Sequence, residues 1–281
     1  MTAAAHFPSF INPAHKQHRH MPSPSDILEN PFRRRLSQPG VPLGTWLMAG
    51  SPVIAEAMGR AAFDWLLIDL EHVPLDDRDA LGMLQAIAGT DACPVARLAA
   101  NEPVLFKRAL DMGAQTIMVP FVDNAQAARQ AVSYAKYPPQ GIRGFAAMHR
   151  ASGYGSARDY ARRANDSTCV IIQLETPQAV DALEEIAAVS GVDALFLGPG
   201  DLSAHMGHIG NIAHPEVQAV IKNVAERCRA IGKPCGIVGP TPEMVSQFMA
   251  QGYSFVAIAS DLAMMIRQAG AFIEAIRPSD A

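Results

Sequence analysis

The segment Phe63 to Pro74, FDWLLIDLEHVP, carries an apolar run that ends in Asp69, Glu71 and His72. An uninterrupted apolar run of strand length, Trp65 to Ile68, suits a strand buried on both faces. The ionisable cluster then falls at the strand's C-terminal tip, the edge at which α/β sheets and barrels place their chemistry. A histidine beside two carboxylates can be a general base, a metal ligand or neither. Two further carboxylates end apolar runs: Glu175 closes VIIQLE, and Asp201 follows LFLGPG. Carboxylates from neighbouring strands can meet at one point, and oxygen ligands in that number suit Mg2+ or Mn2+ with positions left open for water and substrate. The structural alternative for either residue is a helix N-cap.

Arg97 closes CPVAR, where a buried strand should end in an apolar or turn residue. Its planar guanidinium can bind a carboxylate or a developing oxyanion, or form a salt bridge to Asp69 or Glu71. His72 has the structural alternative of a histidine satisfied by nearby backbone. The GPGD turn is a poor dinucleotide loop, because Ser203 stands where the third glycine belongs and Asp201 would repel a pyrophosphate. Backbone N–H groups around Gly200 and Asp201 can still bind a small carboxylate beside a cation.

These residues need a scaffold that gathers strand tips. From Val41 onward, β-like runs alternate with segments of helical period. The expected strands are Gly44 to Met48, Trp65 to Asp69, Pro94 to Arg97, Thr116 to Pro120, Cys169 to Glu175, Ala194 to Gly198, Pro234 to Val238 and Phe255 to Ala259. Helical stretches lie between them, among them Pro177 to Ala188 and Pro215 to Ile231, and several open on a proline in the first turn. Eight βα units at ~30 residues each predict a closed (β/α)8 barrel. Its strand tips carry Trp46, Asp69 with Glu71 and His72, Arg97, Pro120, Glu175, Gly198 to Asp201, Val238, and Ser260 with Asp261. Two connections are long: one between Pro120 and Cys169, one after Gly198. Long connections in compact domains tend to be functional.

The chain has 281 residues, 49% of them hydrophobic and 18% charged, with a formal net charge of −4, which fits a globular protein with small-molecule partners rather than nucleic acid. Cys93, Cys169, Cys228 and Cys235 form no C-x-x-C pair and read as reduced and buried. No apolar segment approaches a membrane span and no secretory signal opens the chain, so the cytoplasm is the expected location. Residues 1–40, polar and punctuated by prolines, are expected to form an extension outside the catalytic domain, which spans 41–281. The HKQHRH tract at His15 to His20 reads as a solvated tail rather than a metal site.

In GTWL, DWLLIDLEH, PVAR, LDMGAQTIMVP, YPPQGIRG, QLET, FLGPGDLS and HPEVQ, in that order from about Gly44 to Ile276, the chain resembles the HpcH/HpaI aldolases. These are metal-dependent pyruvate aldolases on a (β/α)8 barrel. The resemblance implies Glu175 and Asp201 as ligands of Mg2+ or Mn2+, with Co2+ a further option, and Arg97 as the group holding the keto oxygen of pyruvate or its enolate. It makes His72 the acid/base, supported by Asp111. Asp69 and Glu71 shape the mouth, and Trp46, Pro199, Gly200 and Val238 line the substrate pocket. The implied reaction is reversible cleavage of a 4-hydroxy-2-oxo acid to pyruvate and an aldehyde, catalysed by an aldehyde-lyase. It further implies a homo-oligomer, a hexamer with interface-completed active sites and an exchanged last helix, so that Asp261 to Ile276 packs on a neighbour. The chain departs from the family in GFAAMHRASGYG, where Phe145, Met148 and His149 are bulkier, a difference that bears on the aldehyde. Two alternatives are a citrate lyase or malyl-CoA lyase, which needs a basic surface for CoA phosphates that the sequence lacks, and a noncatalytic 2-keto-acid-binding protein.

Overall fold

The computed structural model describes residues 29–277. Eight parallel strands close into a barrel in sequence order: β1 (Leu43–Leu47), β2 (Trp65–Asp69), β3 (Cys93–Arg97), β4 (Thr116–Val119), β5 (Cys169–Leu174), β6 (Ala194–Leu197), β7 (Cys235–Gly239) and β8 (Phe255–Ser260), with β8 pairing back onto β1. These are the eight expected strands, with ends displaced by a residue or so. The helices are α1 (Pro31–Leu36), α2 (Pro52–Arg60), α3 (Asp77–Ile87), α4 (Pro103–Asp111), α5 (Ala125–Ala135), α6 (Tyr160–Ser167), α7 (Pro177–Asp181), α8 (Leu183–Ala187), α9 (Pro199–His205), α10 (Pro215–Ala230), α11 (Pro242–Gln251) and α12 (Asp261–Ile276). The single helix expected over Pro177 to Ala188 is instead two, separated by a turn at Ala182 (φ −85°, ψ 11°). Proline at the first turn starts α2, α4, α7, α9, α10 and α11, where its missing N–H costs no hydrogen bond.

Strand alternation sorts the side chains. Trp65 and Leu67 pack in the barrel interior with Cys93, Val95, Cys169, Ile171 and Phe196. Their neighbours Leu66, Ile68, Ala96, Val170, Ile172 and Leu195 pack outward against the helices. With a period of two, the same parity carries Asp69, Arg97 and Glu175 inward at the top of the barrel. The interior is filled by an aromatic column. Phe32 meets Trp65 and Phe255 edge-on at 5.9 and 5.3 Å, and Trp46 lies above, 6.0 Å from Trp65 and 5.5 Å from Phe196. Gly44 makes room for this filling: a Cβ there would fall 2.2 Å from the Trp65 ring.

Phe32 belongs to α1, so the division at residue 40 is corrected. It was drawn from proline content and weak periodicity, yet Phe32 is fully buried beneath the barrel floor. Asn30 caps α1 by accepting from Arg33 N–H at 2.8 Å and donates to the carbonyls of Gln115 and Ser167 at 3.0 and 2.9 Å. Arg33 and Arg35 reach Asp193 and Asp64 at 2.8 and 2.7 Å. A six-residue helix offers too few turns for a period to show, and its partners lie far along the chain. The His15 to His20 tract lies outside the described residues. All four cysteines are buried and none is in a disulfide. Among the described residues no helix is long and apolar enough to cross a membrane.

Candidate active site

Arg97 stands at the tip of β3 on top of the aromatic column, its guanidinium carbon 5.8 Å from the centre of the Trp46 ring. Asp69, one strand away and in register with it, grips it bidentately: Nε donates to Oδ1 at 2.9 Å and Nη2 to Oδ2 at 2.7 Å. Asp69 Oδ1 also accepts from the N–H groups of Glu71 and His72 at 3.0 and 3.4 Å, which fixes the turn after β2. Asp69, expected to shape the mouth, is fully buried with both oxygens taken and holds Arg97 in place. Arg97 Nη1 lies 3.1 Å from Glu71 Oε2. That contact is an ion pair without hydrogen-bond alignment, since Glu71 Oε2 has no hydrogen-bond partner.

Glu175 follows β5 with its side chain in the barrel mouth, almost wholly buried. Its Oε1 accepts from Gln173 Nε2 and its Oε2 from Phe121 N–H, both at 2.9 Å. Phe121 adopts φ +49°, a left-handed conformation uncommon outside glycine, just past the tip of β4. Glu175 Cγ would lie 2.7 Å from a Cβ at position 198, so glycine there lets the carboxylate sit against the start of α9. Burial pushes the Glu175 carboxyl up to about 7; the Phe121 N–H opposes this, and the Glu71 and Asp201 charges add to it. Burial also raises Glu71, with Arg97 opposing. Asp201 lies in the first turn of α9, where Gly198 caps without a side chain.

Asp69, Glu71 and Glu175 thus surround one guanidinium, with the Asp201 charge close enough to raise Glu71 and Glu175, so carboxylates outnumber the guanidinium. Gln173 Oε1 points into the same interior without a partner. This is an arrangement a hard divalent cation satisfies, with Glu175 and Asp201 able to hold it. Pro199 and Trp46 are buried in the wall, Val238 is half-buried beside them, and a Cβ on Gly200 would meet open space. Asp261 is turned inward at the rim, accepting from the N–H groups of Met48 and Ala49 at 2.8 and 3.1 Å.

His72 is at the mouth with its side chain 56% exposed and Nε2 4.0 Å from Glu71 Oε2. Asp111 is not beside it. Helix α4 starts at the tip of β3 and runs down the barrel, so its last residue, Asp111, arrives at the opposite end, where β4 begins. There it accepts from Arg143 Nη2 at 2.6 Å and lies 3.7 Å from His149 Nε2. The His72 and Asp111 pairing expected from the sequence is therefore not formed within one chain. Gln173 and Phe121, which both donate to Glu175, are not among the residues expected from the sequence. The parity of β5 could have identified Gln173, two residues before Glu175; no local signal marks Phe121.

Residues 43–268 match the HpcH/HpaI aldolase/citrate lyase family, and the chain belongs to it. A Pseudomonas putida 2-dehydro-3,6-dideoxy-6-sulfogluconate aldolase is 59% identical over 242 residues, 86% of this chain and 95% of that one. A 5-keto-4-deoxy-D-glucarate aldolase from Enterobacter sp. is 42% identical over 238 residues, 85% of this chain and 93% of its own. The crystal structure of a family member from Burkholderia cenocepacia superposes with a TM-score of 0.85 at 39% identity, covering 88% of this chain and 99% of that one.

Proposed function

We propose that the protein is a divalent-metal-dependent aldehyde-lyase that reversibly cleaves a 4-hydroxy-2-oxo acid to pyruvate and an aldehyde with an anionic end. The observation carrying this reading is the rigid Asp69 and Arg97 pair at the barrel mouth, set among three further carboxylates that outnumber the guanidinium. Glu175 and Asp201 would hold Mg2+ or Mn2+, which would supply Lewis acidity at the keto oxygen of the 2-oxo acid. Arg97, its orientation fixed before substrate arrives, offers its remaining N–H groups to the same oxygen as negative charge develops there, and Trp46 keeps water from beneath. Asp69 prevents the guanidinium from rotating away. The free N–H groups of Gly200 and Asp201 donate to the substrate carboxylate. His72, accessible at the rim, takes the 4-hydroxyl proton, directly or through water.

Because Asp111 lies at the far end of its own barrel, its support of His72 comes from a neighbouring copy in a homo-oligomer, which the family resemblance makes a hexamer. Apolar residues exposed on α12, among them Ile266, Phe272, Ile273 and Ile276, support such packing. The anionic end of the aldehyde is proposed from the relatives, one named for a sulfonated and one for a dicarboxylic sugar acid.

Pyruvate C3 proton exchange in deuterated buffer tests the site directly: exchange should stop in excess chelator and return with Mn2+. Full exchange under chelation would refute the metal role. A screen of pyruvate with 3-carbon hydroxyaldehydes ending in sulfonate, carboxylate or hydroxyl should favour the two anionic ones. For Asp111, mixing dissociated and reassembled His72→Ala and Asp111→Ala chains should regain cleavage that neither has alone.

A further inference from the structure

Away from the mouth residues already assigned, three ligating side chains gather in the connection between α9 and α10. His208, His214 and Glu216 each offer a ligand atom, and these atoms all lie within 4.8 Å of one another. His208 Nε2 is 3.0 Å from Glu216 Oε2, and the two imidazoles stack with centroids 3.5 Å apart and planes within 16°. His208 is largely covered, its side chain 23% exposed, whereas Glu216 opens to solvent at 69%.

The backbone holds this trio in place. His208 N–H donates to Ser203 O at 2.7 Å, Asn211 N–H to His208 O at 2.9 Å and His214 N–H to Asn211 O at 3.1 Å, a run of turns that folds the connection back on itself. Gln218 reaches back to Ile212 O at 2.8 Å. Pro215 starts α10 and restricts His214 to its extended conformation. His214 Nδ1 caps α10 by accepting from Glu216 N–H at 3.3 Å, a long hydrogen bond that a cation can displace. The proton shared between His208 and Glu216 is the other group that a cation can replace.

We propose that His208, His214 and Glu216 form a second divalent-metal site, selective for a borderline ion such as Zn2+. Two imidazoles and one carboxylate suit zinc, with solvent filling the remaining position, while Mg2+ prefers oxygen donors and stays at the carboxylates of the mouth. The ion ties the loop after α9 to the start of α10. Since α9 carries Asp201 in its first turn, the site braces the element that positions a mouth carboxylate. This assignment does not depend on the aldolase reading.

Equilibrium dialysis of the full-length protein against micromolar Zn2+, with millimolar Mg2+ present, tests it by metal content rather than turnover. The wild type should retain about one Zn2+ per chain more than His208→Ala. Removing a ligand should weaken that zinc by at least the roughly tenfold that losing an outer partner of a metal ligand costs. His214→Asn keeps a good N-cap for α10 while deleting the imidazole, so it separates ligation from capping and should lose the same zinc. Added Zn2+ should raise the melting temperature of the wild type and of neither variant, with Mg2+-dependent pyruvate exchange retained in both. Equal zinc content in wild type, His208→Ala and His214→Asn would overturn the proposal.

Discussion

The two ends of the barrel bury polar groups by opposite rules. At the lower end, each carboxylate has an arginine partner and a backbone donor: Arg33 pairs with Asp193 and Arg35 with Asp64, whose second oxygens accept from the N–H groups of Val170 in β5 and Leu43 in β1. Asn30 bonds backbone from three separate parts of the chain. At the upper end, carboxylates outnumber the one guanidinium, the Glu175 carboxyl is pushed up to about 7, and Phe121 holds a left-handed backbone. The Arg97 and Asp69 pair is also the more deeply buried, with side chains 7% and 0% exposed against 40% and 21% for Arg33 and Asp193. The surplus of carboxylates at the mouth is what marks it, because buried like charges cost stability unless a ligand offsets them.

Arg97→Ala should strike hardest, since it strands the fully buried Asp69. The expected stability loss is about 3–5 kcal/mol by denaturant unfolding, with pyruvate exchange down roughly 10^2 to 10^3-fold. Adding Asp69→Asn to that chain should recover stability but no exchange; recovery of both would mean Arg97 is only structural. His72→Ala should reduce aldol cleavage by roughly 10^2 to 10^4-fold while sparing oxaloacetate decarboxylation, which needs no 4-hydroxyl proton transfer. Equal damage to both reactions would remove His72 from that role. At the other end, Phe32→Ala should cost about 3–5 kcal/mol in stability yet leave the turnover of folded molecules unchanged. Asn30→Ala should cost less, about 1–3 kcal/mol, again without affecting turnover. A fall in turnover by folded Phe32→Ala protein would show that the two ends are coupled through the aromatic column rather than separate.

Residues at the mouth were more legible than those at the floor because strand parity is a local property. Trp65, Leu67 and Asp69 share a face through the two-residue repeat, as do Cys169, Ile171, Gln173 and Glu175, so an apolar run ending in a charge announces an inward-facing tip. The floor depends on α1, whose partners Gln115 and Ser167 lie 85 and 137 residues away. No periodicity reaches that far. Asp111 shows the same limit from the other side: its motif was visible, but the direction of α4 carries it away from His72.

By itself the sequence determined eight βα units, their order and the side chains that face inward at each tip, including Arg97, Glu175 and the approach to Asp201. Repeating short-range patterns carry that information, and a closed parallel barrel is the arrangement that buries every strand. Only the tertiary structure decided how those groups divide their work: Asp69 spends both oxygens fixing Arg97 and the β2 turn, Phe121 turns its N–H onto Glu175, and α1 seals the floor. Each of these depends on which distant atoms share a hydrogen bond, and that is settled by the closure of the barrel, not by the neighbours of a residue along the chain.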